Sequence, residues 1–360
     1  MPPIRILKLS GSHYDMGYQH GTAYADDIRE ITEERIRLCS EETWTGRSLP
    51  REQVLALAEE CLEAHWAYAP ELMEQLEGIS AASGVSLREL IITNGFTDFA
   101  DTIYNINELA PANPIFGNEC TAFMARNKSA GYLGQTWDMH ATATPYVIVL
   151  EARPKDEPAF YAFTLTGCIA MIGMNEAGIA VGINNLAGAD GQIGVTWPFV
   201  CRKILAQSTI EDALDCITSA PLAGAHNYMV MDAQGKAYNV EAMSTTYHIE
   251  PMDANALTHA NICLAENTRR VERPISEESL EDSETRRLRA ETVLAEASTT
   301  VETLMRLTQD RSDARFSVCS ISEPPFYSET CGAVIMRPAT RDFWGVWGLP
   351  TENPYEHFRL

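Results

Sequence analysis

A cysteine at a loop-to-strand junction, with an aspartate eighteen residues further on, is the pair in this sequence best placed to do chemistry. Cys120 follows NELAPANPIFGNE, whose Pro, Asn and Gly favour turns and an exposed loop, and it opens the strand-like run CTAFMAR. A thiol there lies next to the carbonyl of Glu119. Attack on that carbonyl shifts the peptide to a thioester; water then releases the upstream segment and leaves Cys120 with a free α-amine. Such an amine has an ordinary pKa of ~8 and can act as general base for its own thiol. Asp138, in GQTWDMH after a glycine-containing turn, is the residue a β-hairpin would bring back beside Cys120. A carboxylate there would orient and stabilise the ammonium form. Taken singly, a cysteine opening a strand is more often structural, and Asp138 serves equally well as a turn or strand-end residue.

Other groups invite the same question. His20, His140, His226 and His259 suggest a cysteine–histidine pairing, and His140 lies two residues beyond Asp138. Scattered histidines are more often hydrogen-bonded structural groups. Trp137, Trp197, Trp344 and Trp347 can line an acyl pocket, although core packing is the default for tryptophan. The nine cysteines are odd in number and irregularly spaced, without a CxxC pair or a Cys/His cluster of zinc spacing. They read as reduced thiols of a cytoplasmic protein, with no metal and no cofactor expected.

The elements that must hold these residues change character along the chain. The first hundred residues read as mostly helical: 24–39 places Ile28, Ile31, Ile36 and Cys39 near one face with charges elsewhere, 51–66 is a second helix, and Pro70 begins a third. Ser86 and Glu89 form a capping box before LIITNGF. From Cys120 the pattern turns to short strand-like runs separated by glycine-containing turns, with helices at 197–208 and 209–217. NYMVMDAQGKAYNVEAM reads as a hairpin, 277–297 as a charged helix, and 316–336 and 344–347 as extended. Strands, then helices, then strands predict a layered α/β sandwich of antiparallel sheets rather than a doubly wound parallel sheet.

Composition narrows the partners. Fifty acidic residues against 27 basic ones give a net charge of −23, which repels nucleic acid and anionic lipid. No run approaches the ~20 apolar residues of a membrane-spanning helix, and the N-terminus lacks the long apolar core of a signal peptide. The expected partner is a small-molecule amide or N-acyl substrate; oligomeric state is not legible.

Taken together, these motifs resemble a known family. Cys120-Thr121-Ala122-Phe123 followed by Gln135-Thr136-Trp137-Asp138 is similar to the acyl-coenzyme A:6-aminopenicillanate (isopenicillin N) acyltransferase family, which sits with the penicillin V acylase and bile-salt hydrolase branch of N-terminal-nucleophile enzymes. The resemblance continues through GSHYDMGYQHG at 11–21 and Asn175 to Gly178 running on to Asn184 and Asn185. It extends to His259-Ala260-Asn261, Ser283 with Arg286, and Phe316-Ser317-Val318-Cys319. It covers roughly residues 7–336. The chain departs from the family in having Glu119 rather than Gly before the nucleophile, Ala122 for a hydroxyl residue, and Thr330-Cys331 where the family has Ser-Arg.

The resemblance implies a four-layer αββα sandwich, with 1–119 a helical pro-segment and 120–360 the catalytic chain, the two forming one folded unit. It implies cleavage between Glu119 and Cys120, with Cys120 as nucleophile and base, Asp138 holding the α-amine, and Asn261 and Asn184 serving the oxyanion. A fixed donor facing that oxygen is commonly worth about 3 kcal/mol. Trp137, His140, His226 and Asn227 are the candidate pocket residues; Ser283 and Arg286 read as a helix cap and a structural ion pair. The activity implied is hydrolysis of a linear amide of a small N-acyl compound. The alternatives are an acyltransferase drawing on acyl-coenzyme A or an amide, and an uncleaved binding protein on the same fold.

Overall fold

The computed structural model describes residues 3–105, 120–313, 316–322 and 327–360. Its strands, among the described residues, are β1 Arg5–Gly11, β2 Ala122–Arg126, β3 Gly131–His140, β4 Val147–Pro154, β5 Phe160–Leu165, β6 Ile172–Asn175 and β7 Ala180–Asn185. They continue as β8 His226–Met231, β9 Ala237–Ala242, β10 Tyr247–Pro251, β11 Ala256–His259, β12 Ser328–Arg337, β13 Asp342–Trp347 and β14 Glu356–Arg359. They form two sheets. One runs β1-β4-β5-β6-β7-β8-β9-β10; the other runs β11-β2-β3-β12-β13-β14. All pairings are antiparallel except β1 with β4.

The sheets pack face to face, and helices cover both outer faces. Between the sheets, Trp137 of β3 meets Phe163 of β5 with ring centroids 6.0 Å apart, and Tyr161 meets Phe343 at 5.7 Å. A polar clasp joins them as well: the Gln135 side chain accepts from Ile183 N–H at 2.6 Å and donates to the Ile183 carbonyl at 2.9 Å. Outside the six-stranded sheet, Ala290 and Leu294 of helix Glu277–Glu296 and Leu304 and Leu307 of helix Val301–Thr308 cluster with Phe123 and Ile335. Outside the other sheet, Asn175 donates to the carbonyls of Leu205 and Gln207, and His226 meets Thr97 on helix Phe96–Asn105. This is the αββα layering that the motif order implies.

Several local expectations are met because short-range chemistry sets them. Helices occupy Ala25–Cys39, Arg51–Tyr68, Pro70–Ser83 and Leu87–Thr93, and the Ser86/Glu89 capping box is formed. Helix Glu277–Glu296 and the β8–β9 hairpin are also present; in the hairpin turn, Asp232 accepts from Gln234 and Lys236 N–H and Gly235 adopts φ +80°.

Three expectations need correction, and one motif gains a structural role. The N-terminal segment is not wholly helical: β1 adds a strand to the edge of the eight-stranded sheet, in register with β4. Arg35 is not among the outward charges of its helix but is buried with Ile28, Ile31 and Ile36. The 316–336 stretch is extended only from Ser328 onward among its described residues. The glycine-rich 11–21 motif is helical from His13 to Ala23, and its glycines allow a close helix crossing. A Cβ on Gly17 would stand 1.9 Å from the Gln75 carbonyl oxygen, and one on Gly78 2.2 Å from that of Tyr14. No helix among the described residues is long and apolar enough to cross a membrane.

Candidate active site

Cys120 precedes β2 and is buried, 5% exposed. The β2–β3 hairpin forms with Ala122 opposite Gln135, which returns the chain to Cys120 at Asp138. The Asp138 N–H donates to Cys120 Sγ at 3.2 Å, and the thiol in turn lies 3.5 Å from the Asp138 carbonyl oxygen as a donor. Thr121 and Thr136 lock the strand ends: Thr121 N–H donates to the Thr136 hydroxyl at 3.1 Å, and Thr136 N–H to the Thr121 carbonyl at 3.0 Å. Opposite Asp138, β12 is irregular between Thr330 and Gly332, a bulge that re-aims the strand beside the site.

The carbonyl of Cys120 is held by a helix and by the eight-stranded sheet. Arg286 Nη1 donates to it at 2.9 Å and Asn184 Nδ2 at 3.2 Å. Asn184 stands at the end of β7, opposite Asn227 of β8, whose Nδ2 donates to Asn184 Oδ1 at 3.3 Å. The Gln135 clasp to Ile183, one residue before Asn184, fixes the distance between these strands.

Asn261 closes the group from the loop after β11. Its Nδ2 donates to the Asn185 carbonyl at 3.0 Å, and its Oδ1 accepts from Arg286 Nη2 at 3.2 Å. An amide nitrogen carries two protons, so one N–H of Asn261 is spent on the backbone and one remains. Just before it, His259 is buried with both ring nitrogens facing oxygen acceptors, the Ala260 carbonyl at 2.8 Å and Glu241 at 3.0 Å. Glu241 is also met by the N–H groups of Leu264 and Ala265 and by the Thr268 hydroxyl. Burial would push Glu241 up, but the hydrogen bond and charge of His259 with these further bonds hold it down at about 2. This anchor sets the direction in which the chain leaves β11 for Asn261.

Arg286 does more than form the structural ion pair expected of it. Its ion pair is real, with Asp282 at 2.6 Å, but the fully buried guanidinium also bonds the Cys120 carbonyl, the Thr121 hydroxyl at 3.0 Å and Asn261. Ser283 is not a cap: it lies within helix Glu277–Glu296, whose N-cap is Ser276. A signal existed. Ser283, Arg286, Ala290 and Leu294 form the buried stripe of that helix at helical spacing, which places an arginine where an apolar residue belongs.

The pocket candidates separate. Asn227 joins the asparagine group. Trp137 packs between the sheets on Phe163. His140 lies two residues past Asp138, packed edge-on to Trp44 and Phe96. His226 bonds the Thr97 hydroxyl at 3.0 Å and faces Asp98 at 3.8 Å, and burial pushes it down to about 3, so it is neutral. His20 accepts from Gly167 N–H and is pushed down by burial to about 4. Neither is a general base for Cys120. Glu119 lies outside the described residues.

All nine cysteines are buried, and burial pushes each of the eight thiols other than Cys120 up, which disfavours their thiolates. No group of three or more His, Cys, Asp and Glu among the described residues converges to hold a metal ion.

Cys120 thus stands at the opening of a hairpin inside a double-sheet sandwich, with amide and guanidinium donors from Asn184, Asn261 and Arg286 gathered about it. Residues 124–352, more than half of the chain, match the acyl-coenzyme A:6-aminopenicillanic acid acyl-transferase family, and the protein belongs to that family. Its relatives include the acyl-coenzyme A:6-aminopenicillanic-acid-acyltransferase 40 kDa form of Emericella nidulans, 24% identical over 86% of this chain and 82% of that one. An uncharacterized protein of Archaeoglobus fulgidus is 23% identical over 64% of this chain and 42% of that one. Among solved structures, a penicillin V acylase from Agrobacterium tumefaciens is similar with a TM-score of 0.47 and 14% identity, covering 67% of this chain and 86% of that one. A variant of conjugated bile acid hydrolase from Clostridium perfringens gives 0.46 and 10%, covering 67% and 97%.

Proposed function

We propose that this protein is a self-processing cysteine amidohydrolase that cleaves a linear amide bond of a small N-acyl compound. The supporting observation is the double hold on Cys120: its thiol against the Asp138 backbone and its carbonyl between Arg286 and Asn184. In this reading the thiol of Cys120 adds to the Glu119 carbonyl and displaces its own nitrogen. Water then hydrolyses the thioester, giving segments 1–119 and 120–360, which stay together as one folded unit. The freed α-amine takes the thiol proton as the sulfur attacks the substrate carbonyl. Asp138 holds the resulting ammonium. The remaining N–H of Asn261, with Asn184, faces the tetrahedral oxyanion. The amine then leaves with the proton, and water resolves the acyl-enzyme. Arg286 is a positioning residue that fixes the backbone of the nucleophile and the Asn261 side chain together. The odd number and irregular spacing of the nine cysteines support a reducing, cytoplasmic setting.

Denaturing mass spectrometry of the purified protein is expected to show the two segments, with Cys120→Ala remaining whole. Amine release from a panel of N-acyl compounds is expected to be blocked by iodoacetamide. A whole wild-type chain without amidase activity would return the protein to the binding-protein reading.

The transferase reading is favoured by the acyl-transferase family match and by the acyltransferase named among the relatives. Adding hydroxylamine or 6-aminopenicillanate to a turnover reaction separates the two. Hydrolysis predicts that water remains the main acyl acceptor; transfer predicts that the added amine does.

A further inference from the structure

His259, two residues before Asn261, is fully buried between two oxygen acceptors. Its Nδ1 lies 2.8 Å from the Ala260 carbonyl oxygen, which has no proton to give, and its Nε2 lies 3.0 Å from Glu241 Oε1. A neutral imidazole has one N–H and one bare nitrogen. Either neutral tautomer therefore sets a lone pair against one of these oxygens, and the imidazolium donates to both. Turning the ring over about its Cβ–Cγ bond would put carbons against both oxygens and lose both bonds.

The proton between ring and carboxylate belongs to the ring. Glu241 Oε1 already accepts from the Leu264 N–H at 2.6 Å, and Oε2 from the Ala265 N–H at 3.2 Å, and both bonds favour the ionised carboxylate. The Thr268 hydroxyl has one proton to divide between Glu241 and the Ala265 carbonyl, and the count does not depend on it. Charged groups on the other elements around His259 are engaged elsewhere. Glu272 accepts from the Cys263 N–H, Arg269 donates to the Cys263 carbonyl, and burial pushes the Cys263 thiol up. On helix Glu277–Glu296, Arg287 pairs with Glu291 beside Thr258, and Arg286 holds Asn261 and Asp282. On β2, Arg126 bonds the Asp253 carbonyl.

The Ala260 carbonyl shares its peptide unit with the Asn261 N–H, so the Nδ1 bond fixes the plane from which Asn261 sets out toward the Asn185 carbonyl and Arg286. If the ring gives up a proton, the charge-assisted bond to Glu241 is the one kept. Bare Nδ1 then faces the Ala260 oxygen, and the two lone pairs drive that peptide to turn.

We propose that His259 is a buried imidazolium and the positioning residue for Asn261, so that deprotonating the ring turns the Ala260–Asn261 peptide and switches turnover off on the alkaline side. The inference rests on Asn261 facing the oxyanion in the amidase reading above.

The test reads the ring and the reaction separately. In histidine-labelled wild type at neutral pH, nitrogen NMR is expected to show both His259 ring nitrogens protonated, the signals being those that shift in Glu241→Gln. One bare nitrogen overturns the proposal. The kcat/KM profile is expected to fall on an alkaline limb that coincides with the ring titration. Glu241→Gln removes the counter-charge and is expected to move both to lower pH; a limb that stays while the titration moves overturns the positioning role. His259→Gln cannot donate in both directions. It is expected to lose the limb and about 100-fold in kcat, with KM near the wild-type value; a folded variant that keeps either overturns the role as well. If His259→Gln does not fold, Glu241→Gln carries the kinetic arm. Should no amide be turned over, the amidase reading fails, while the nitrogen signals still decide the charge and a neutral ring overturns the proposal.

Discussion

The guanidinium of Arg286 donates from Nη1 to the carbonyl oxygen of Cys120 at 2.9 Å, across 166 residues of chain. Through Nη2 it also meets Asn261 and Asp282, so one buried cation ties the start of β2 to the loop after β11. Arginine suits this task because its planar fork serves several acceptors at once, whereas a lysine ammonium is a point donor.

Replacing Arg286 by methionine removes the clamp and leaves Asp282 without its partner. We expect a loss of about 3 kcal/mol in stability and a fall of about 100-fold in kcat. Chemical denaturation and steady-state kinetics check both, and Arg286→Lys should recover stability more than turnover. Unchanged kcat in a folded Arg286→Met enzyme would remove the positioning role.

Asn184→Ala deletes a donor to the Cys120 carbonyl and strips Asn227 Nδ2 of its acceptor. The expected cost is about 1–3 kcal/mol, with kcat reduced about 100-fold and KM changed far less. A mutant that raises KM alone would place Asn184 in substrate binding instead.

Asp138→Asn tests the link between carboxylate and α-amine. A carboxylate favours the ammonium form and raises the amine pKa; without it the amine loses its proton at lower pH. The acid limb of the kcat/KM profile is therefore expected to move to lower pH while the maximum falls. A limb that stays in place would show that Asp138 does not act on the titrating base.

Glu241 carries an acid-stability signature. Its folded pKa of about 2 lies below the ordinary 4.5, so its contribution is fully present above pH 4.5 and is lost as pH falls toward 2. That contribution is of order 3 kcal/mol. Glu241→Gln should lower stability at neutral pH and flatten the stability curve between pH 4.5 and 2. Parallel curves for the two proteins would refute the assignment.

Gly17→Ala pushes a methyl group into the Gln75 carbonyl, on backbone that cannot swing aside. Overpacking of this kind costs about 1–3 kcal/mol, and the melting temperature should fall by several degrees. Gly84→Ala serves as the contrast: space at Gly84 is open, and strain there comes from its φ of +78°.

What could be read from residue order alone was local. The Ser86/Glu89 capping box, the Asp232–Gly235 turn and the Cys120 to Asp138 spacing each depend on neighbours within one turn or one hairpin, where periodicity and turn chemistry are decisive. The asparagines were reached through motif resemblance, and the structure adds their connection: Asn227 to Asn184 to Cys120, and Asn261 to Arg286.

The remainder needed the assembled sheets. Nothing local tells β1 to pair with β4 more than a hundred residues away, nor tells Arg35 and Arg286 to turn inward among apolar neighbours. A charged side chain on an amphipathic helix is placed by default on the wet face, because burying it alone is costly. That cost is met at Arg286 by acceptors from Cys120, Thr121, Asn261 and Asp282, which only folding brings within reach.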